Sequence, residues 1–506
     1  MFGAAVSRKV FAIFAGLSLA CGACTVGPNY HPPEISVEGS YHGDAGAAGS
    51  SAGAWWWMTL RDPALNALEA QAAENNLDVR QAQARVREAR AERAVATGAS
   101  APSVNVGGQY QHERFSQNAA PFNAFDVPNF PWEFNLYQVG FDASWELDVF
   151  GGTRRAIEAV NANLQASEED GHAVLVTLQA EVARNYIELR GYQNQRQIVQ
   201  HSLEGQQQTL DITRDRLKQG VGSQLDVARA SALVADTAAR IPTYEREEWQ
   251  SIHRLAILTN EPLEKLLTLR QTAAIPAAPD GVLVGVPAEL LRRRPDIRRA
   301  ERQLASATAR IGVAEAELYP KFSITGFFNL QSASVEDLLA WKSRAMSLGP
   351  TVSWPIFEAG RLRGVVAVRN AQQEQALLGY EQVVQNAIGE VRDEMIAFST
   401  ERQRHGSLTD AVRSNQEALD LAQQLYGQGL IDFLSVLDSQ RQLFQAQESL
   451  SENDTQTVAA VVALYKALGG GWETGQPAGA STSAGAATQP TTAPVQTAPA
   501  SRSTLP

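Results

Sequence analysis

Cysteine is almost missing from these 506 residues: only Cys21 and Cys24 occur, both close to the N-terminus. A disulfide framework in the body of the chain is thereby excluded. Long hydrophobic runs are missing as well. No apolar stretch of about 18 residues follows the first segment, so no spanning helix is expected and any membrane crossing falls to β-strands. There is no excess of positive charge: the net charge is −12, which argues against a polyanion surface and against nucleic acid as a partner. The seven histidines (His31, His42, His112, His172, His201, His253 and His405) show no metal-ligand spacing, and no phosphate loop is present. Catalytic and metal residues are therefore none, and an enzyme reading rests on nothing visible.

What is present begins with Arg8-Lys9 and the apolar stretch 10–20, which read as the basic and hydrophobic regions of an export signal over residues 1–23. Gly22-Ala23 ahead of Cys24 supplies the small residues that lipoprotein processing needs. A covalent lipid is expected on Cys24, with Cys21 as the alternative, and several acyl chains would make a firm anchor. The competing reading is an ordinary cleaved signal with an incidental cysteine pair. No other cofactor is expected.

The rest of the chain repeats itself. Trp145, Glu181, Val182, Leu210, Asp211, Gly220 and Leu225 return as Trp354, Glu390, Val391, Leu419, Asp420, Gly429 and Leu434, at one constant offset (354 − 145, 390 − 181 and 429 − 220 agree). Asp78, Ala82 and Pro102 return as Asp296, Ala300 and Pro320 at a slightly larger offset, which places an insertion in one hairpin loop of the first copy. The expected division is 24–65, an N-terminal lipidated segment; 66–262, a first repeat of helix, two strands and a long helical hairpin; 263–290, a connector; 291–472, a second repeat; and 473–506, a disordered tail rich in Ala, Thr, Ser, Gly and Pro.

Each copy carries two strands with strict alternation. Val139, Phe141, Ala143, Trp145 and Leu147 oppose Gln138, Gly140, Asp142, Ser144 and Glu146. Val104, Val106, Gly108 and Tyr110 form a second apolar face, Phe322, Ile324, Gly326 and Phe328 a third, and Met346, Leu348, Val352 and Trp354 a fourth, in which Pro350 removes one ladder donor. Hydrophilic opposite faces suit a wet lumen, and Trp132, Phe134, Tyr137, Trp145, Trp341 and Trp354 sit near strand ends as interfacial girdles do. A bilayer barrel needs at least about eight strands, so four per chain demand an oligomer. The loops 117–135 and 329–344 fall together on the distal side.

After Gly151-Gly152 no proline appears until Pro242. A helix of roughly 100 Å is expected from Thr153 to near Gly220, with a seam through Leu178, Val182, Leu189, Val199, Leu203 and Leu210 at coiled-coil spacing. Residues 224–259 are expected to return as one long helix, and 360–427 with 433–468 to repeat the hairpin. Arg292-Arg293-Arg294 beside Asp296 leaves open a phosphate site or a structural ion-pair cluster.

With these motifs in hand, the chain resembles the outer-membrane efflux family of TolC-like channels, in its lipoprotein branch. The matching stretches are Cys24-Thr-Val-Gly-Pro-Asn-Tyr30, Leu290-Leu-Arg-Arg-Arg-Pro-Asp-Ile297, Trp354-Pro-Ile-Phe357 with Gly360-Arg361, and Ala467-Leu-Gly-Gly-Gly-Trp472. The resemblance implies a mostly α fold with a transmembrane β-barrel portion: a homotrimer whose four strands per chain form a twelve-stranded barrel in outer-membrane lipid, continued by a periplasmic α-barrel. It implies a periplasmic adaptor and an inner-membrane resistance-nodulation-division pump as partners, and passive conduction of drugs or other small toxic compounds. It carries an iris gate onto Asp226, Tyr426, Asp438 and Arg441, and adaptor contacts onto Gly220, Leu225, Gly429 and Leu434. Ser435 stands where some relatives carry a further acid, so an acidic ring falls to Asp226. Asp438 and Arg441 also fit a plain i, i+3 surface pair. The alternatives are the exit channel of a type I secretion system and a periplasmic coiled-coil scaffold without a pore.

Overall fold

The computed structural model describes residues 25–34, 46–47, 55–116, 132–279, 281–283 and 287–472. The signal segment with Cys21 and Cys24, residues 117–131 of the first distal loop and the tail after 472 lie outside the described residues. Each repeat contributes two strands: β1 (Ser103–Arg114) and β2 (Glu133–Leu147) from the first, β3 (Lys321–Ser332) and β4 (Arg344–Ser353) from the second. They form one antiparallel sheet in the order β1-β2-β3-β4. A strand of 12 residues such as β1 is about 40 Å long and, tilted near 45°, spans about 28 Å.

The register brings the four alternating patterns onto one face. Val106 pairs with Phe141, Phe141 with Phe328 and Phe328 with Met346, while Val104, Ala143, Gly326 and Leu348 form the next such row. The other face carries Asn105 against Asp142 and Gln109, Gln138 and Gln331 in one row, with an Asn105–Asp142 side-chain hydrogen bond of 3.0 Å. Phe327 breaks the alternation, lying opposite Asp142 on the polar face. Pro350 falls in β4, opposite Ile324 of β3, in an outer strand of the protomer's sheet. The second distal loop is shorter than the alternation suggested, since β3 continues through Ser332 and keeps residues 329–332 in the ladder. At the base of the sheet Trp145 donates its indole N–H to Ser100 O (2.9 Å) and Trp354 donates to Leu318 O (3.1 Å), the same anchor made twice.

Below the sheet run the helices. α1 (Pro63–Asn75) and α2 (Leu77–Gly98) precede the first strand pair, and α3 (Gly152–Lys218), α4 (Gln224–Ala238) and α5 (Ile241–Thr259) follow it. The second copy supplies α6 (Pro295–Ala316), α7 (Arg361–Gly427) and α8 (Phe433–Ala467). α3 and α7 each hold 67 residues, about 100 Å without interruption. The single return helix expected over 224–259 is instead two, broken at Ala239–Arg240. Pro242 is the cause: it has no N–H to donate to the preceding turn, and its ring crowds the carbonyl of the residue four before it, at the end of α4. α8 contains no proline and runs unbroken.

Each return helix ends where a shorter helix begins, and one buried side chain splices the two. Asn76 accepts from the backbone N–H groups of Asp78 and Val79, capping α2, while its Nδ2 donates to Leu258 O near the end of α5 (2.8 Å). Arg294 occupies the equivalent place in the second copy. Its guanidinium donates to both carboxylate oxygens of Asp296 (3.0 and 2.6 Å), to Glu390 (2.7 Å) and to Ala467 O at the end of α8 (2.8 Å). Within the Arg292–Arg294 run, Arg294 is thus the member of an ion-pair network that supports helix ends. The protomer thus has four helical columns: α3, α7, α4-α5 running into α2, and α8 running into α6.

Around the middle of the columns an apolar layer packs from outside. Trp56 and Trp57, in a short 3-10 helix over Trp56–Leu60, are buried, and Trp56 stacks on Tyr465 with centroids 5.2 Å apart. The connector adds Leu266 and Leu269, and Arg190 and Gln193 of α3 donate to Leu269 O (3.2 and 2.8 Å). Trp56, Trp57, Leu266 and Leu269 therefore belong to one apolar cluster. One member of the layer is out of keeping: Glu69 is 1% exposed and neither of its carboxylate oxygens has a hydrogen-bond partner.

Replacing Arg294 by Met is expected to lower stability by about 3 kcal/mol, because Asp296 and Ala467 O lose their partner in a mostly buried site; Asn76→Ala is expected to cost about 1–2 kcal/mol. Thermal unfolding of the purified protein ranks the two. At Glu69, burial raises the carboxyl well above its ordinary 4.5. Its contribution to stability is full below pH 4.5 and falls as pH rises toward the folded value. Glu69→Met should therefore raise the melting temperature at pH 7 to 8 and lose that advantage near pH 4; a gain independent of pH would show that the carboxyl is not held neutral.

Candidate functional site

The two hairpin tips lie at the end of the columns farthest from the sheet, and their turns are built alike. Gly220 and Gly429 have φ of 76° and 75°, the left-handed conformation that ends a helix and that a side chain resists. Val221 N–H donates back to Arg216 O (3.0 Å) and Leu430 N–H to Leu425 O (3.0 Å), closing both turns. A Cβ at either glycine would meet open space, so backbone angle and not crowding calls for glycine. Ser223 then caps α4 through Leu225 N–H (3.1 Å), and Asp432 caps α8 through Ser435 N–H (3.2 Å). The Ser435 hydroxyl and amide hold the Asp432 carboxyl below its ordinary range. Leu225 and Leu434, on the first turns of the return helices, are 55% and 47% exposed. The two turns therefore present apolar side chains on rigid, capped backbone.

Tyr426 joins the hairpins. Its ring packs between two small clusters, one formed by Leu210, Ala230, Leu233, Phe433 and Leu437, the other by Leu419, Ala422, Val436 and Leu443. Phe433 lies 5.5 Å from it, centroid to centroid. Arg216 of α3 sits over the same ring at 4.4 Å and donates to Tyr426 O (2.8 Å). Burial raises the Tyr426 hydroxyl, Arg216 opposes that shift and the charge of Asp226 adds to it. Asp226 and Tyr426 are thus brought into one electrostatic neighbourhood across the two hairpins. Arg216 carries this link and was not singled out by motif, since in the repeat register it faces Leu425 and looks like an ordinary helix-end cation.

Asp438 and Arg441 are both exposed on α8. The i, i+3 pair that their spacing allows is not formed: Asp438 accepts from Gln442 Nε2 (2.8 Å), one turn on. Among the described residues Arg441 has no hydrogen-bond or ion-pair partner within the protomer. Asp438 and Arg441 therefore stand outside the Arg216–Tyr426–Asp226 group.

The opposite end of the columns holds the residues that follow Cys24. Val26 N–H donates to Phe150 O (3.1 Å), at the junction between β2 and α3. Arg155, buried at the start of α3, donates to Val26 O (3.1 Å), Gly27 O (3.2 Å) and Asn29 Oδ1 (2.8 Å), and Tyr30 donates to Glu301 of α6. Thr25 lies against Gly151. The chain after Cys24 is thereby clamped at the rim where the apolar sheet face begins. Spacing along the chain shows only the Arg155–Glu158 pair three residues apart; the partners behind Cys24, two backbone carbonyls and the Asn29 amide oxygen, lie more than a hundred residues away in sequence.

Residues 68–261 and 286–470 match the family model described as outer membrane efflux protein. The toluene efflux pump outer membrane protein TtgF of Pseudomonas putida is 30% identical over 92% of this chain and 98% of its own length. Outer membrane protein OprJ of Pseudomonas aeruginosa is 30% identical over 91% of this chain and 95% of its own. Among solved structures, the outer-membrane channel OprN superposes with a TM-score of 0.81 at 34% identity, covering 89% of this chain and all of that one.

Arg216→Ala should loosen the tip without unfolding the columns. Amide hydrogen exchange across residues 424–434 is expected to accelerate about tenfold, the loss of roughly one cation–π contact and one charge-assisted hydrogen bond. Unchanged exchange there would remove Arg216 from the link.

Proposed function

The chain belongs to the outer membrane efflux protein family, and from that premise we propose how its parts divide the work. It is an outer-membrane efflux channel with a mostly helical body reaching into the periplasm, in a family of channels and not of enzymes. In our reading three copies close one barrel, β4 of each pairing with β1 of the next. The observation that carries this is the four-stranded sheet with an outer strand at either end and one continuous apolar face: backbone groups at an open edge are not tolerated in hydrocarbon, and four strands cannot close on themselves. The four helical columns of each protomer then extend the tube.

The tips form the gate and the docking end. Arg216, Tyr426 and Asp226 hold the two hairpins together at rest, and Asp438 and Arg441, without a mutual pair in the protomer, reach across to neighbouring copies. Leu225 and Leu434, presented by the turns at Gly220 and Gly429, supply the apolar contact for a periplasmic adaptor, which joins the duct to an inner-membrane pump of the resistance-nodulation-division type. TtgF, a relative, is named for toluene efflux; small apolar or amphiphilic toxic compounds are the class we assign to this duct. Cys24 carries the lipid, in line with the clamping of Val26, Gly27 and Asn29 at the membrane rim by Arg155.

Purified protein in planar lipid bilayers should show small, infrequent conductance, rising several-fold when Asp438 and Arg441 are both changed to Ala, as expected when a closed state loses about 1 kcal/mol of stabilisation. A trimer that stays silent with the gate residues removed would end the channel reading. Separately, labelled palmitate should enter the parent protein and Cys21→Ala but not Cys24→Ala; retained label in Cys24→Ala would move the site.

A further inference from the structure

The two hairpins differ in one respect that the duplication does not predict. The first returns through a broken helix and the second through an unbroken one. The break at Ala239–Arg240 makes α4 a separate lever of 15 residues, roughly 22 Å long, with Leu225 and Asp226 at its tip end. Directly across from the break stands Glu448 of α8. Arg240 donates to one of its carboxylate oxygens (2.8 Å) and the Tyr244 hydroxyl to the other (2.8 Å). The Arg240 guanidinium also lies over the Phe444 ring, 5.0 Å from its centroid. Glu448 is only 18% exposed in its side chain, so water screens this pair less than a surface one. Burial and Glu448 together raise the Tyr244 hydroxyl above its ordinary range, which keeps it a donor. Toward the tip, the lever touches α8 again through Leu233 and Ala230 against Phe433 and Leu437.

We propose that Glu448 is the fulcrum of the first hairpin's tip: it pins the break at Ala239–Arg240 to α8, so that α4 moves only when α8 moves. The physical reason is that a helix interrupted by proline has lost hydrogen bonds at the break and bends there at little cost, whereas the uninterrupted α8 does not. A carboxylate fixed on the stiff helix and bound on both oxygens by residues flanking the break ties the soft element to the stiff one. The gate residue Asp226 on the lever and the gate candidates Asp438 and Arg441 on α8 then share one motion. This inference rests on the gate reading above, and goes beyond it by naming what couples the two hairpins.

The test uses the full chain in detergent and reads hydrogen exchange first. In Glu448→Gln, exchange across residues 224–238 is expected to rise about tenfold while residues 433–447 stay as in the parent, because one charge-assisted pair is lost without touching the α8 backbone. Tyr244→Phe, which deletes a single hydroxyl, should give a smaller rise, about threefold, and Glu452→Gln, one turn further along α8, should give none. Equal exchange in parent and Glu448→Gln overturns the proposal, and so does a rise that is the same in both segments, which would mean general loosening. Bilayer recordings then show more frequent openings for Glu448→Gln than for Glu452→Gln; identical recordings overturn the link to the gate. A parent and variants that never conduct would sink the channel reading instead, and leave the exchange result standing.

Discussion

Backbone hydrogen bonding in hydrocarbon is the constraint on which the rest of this molecule depends. A strand crossing a bilayer has no water to satisfy its N–H and C=O groups, so it needs a neighbour on both sides. Within the chain β2 and β3 have two neighbours each, while β1 and β4 have one. The protomer is therefore incomplete as a membrane object, and its uniform apolar face, from Val106 through Phe141 and Phe328 to Met346, is coherent only as part of a larger ring. The alternation of side chains follows from the same geometry, because a pleated strand in a barrel wall shows lipid and lumen in turn.

The helical part answers a different demand, that of length. A single helix of 67 residues reaches about 100 Å, and only α3 and α7 do so in one piece. The other two columns are spliced, and a splice brings the carbonyl end of one helix against the amide end of the next. Those ends carry unsatisfied groups and opposing partial charges. Asn76 serves both ends with one amide side chain. At the other splice Arg294 donates to the carbonyl end, while Asp296 at the start of α6 supplies the counter-charge and accepts from the Ile297 N–H at the amide end. Burial pushes the Asp296 carboxyl up, but Arg294 outweighs that and holds it below its ordinary range. The duplicated scaffold has thus solved one junction by hydrogen bonding and the other by charge.

One asymmetry between the copies lies in the helices that leave the tips. The turns at Gly220 and Gly429 are near-identical, yet the helices leaving them are not: Pro242 breaks one and nothing breaks the other. Contacts between the hairpins, from Arg216 to Tyr426 and from Arg240 and Tyr244 to Glu448, all join unlike elements. Cooperative motion of a tip requires such cross-links, since two independent hairpins would open separately.

Local pattern determined a good deal by itself. Alternation located all four strands, the absence of proline after Gly151 set the extent of α3, and a constant offset exposed the duplication; each is a property of neighbouring residues, which sequence spacing records directly. Pro242 is equally visible, but the apolar pattern continues across it and conceals the break. What the tertiary structure alone decided are the partners of charged side chains. Asp438 turned to Gln442 and not to Arg441, Arg294 to a helix end more than a hundred residues away, Arg155 to the backbone behind Cys24, and Glu448 to the two sides of a helix break. Such choices depend on which surfaces meet after folding and on how little water remains between them, and neither quantity is written in the order of the residues.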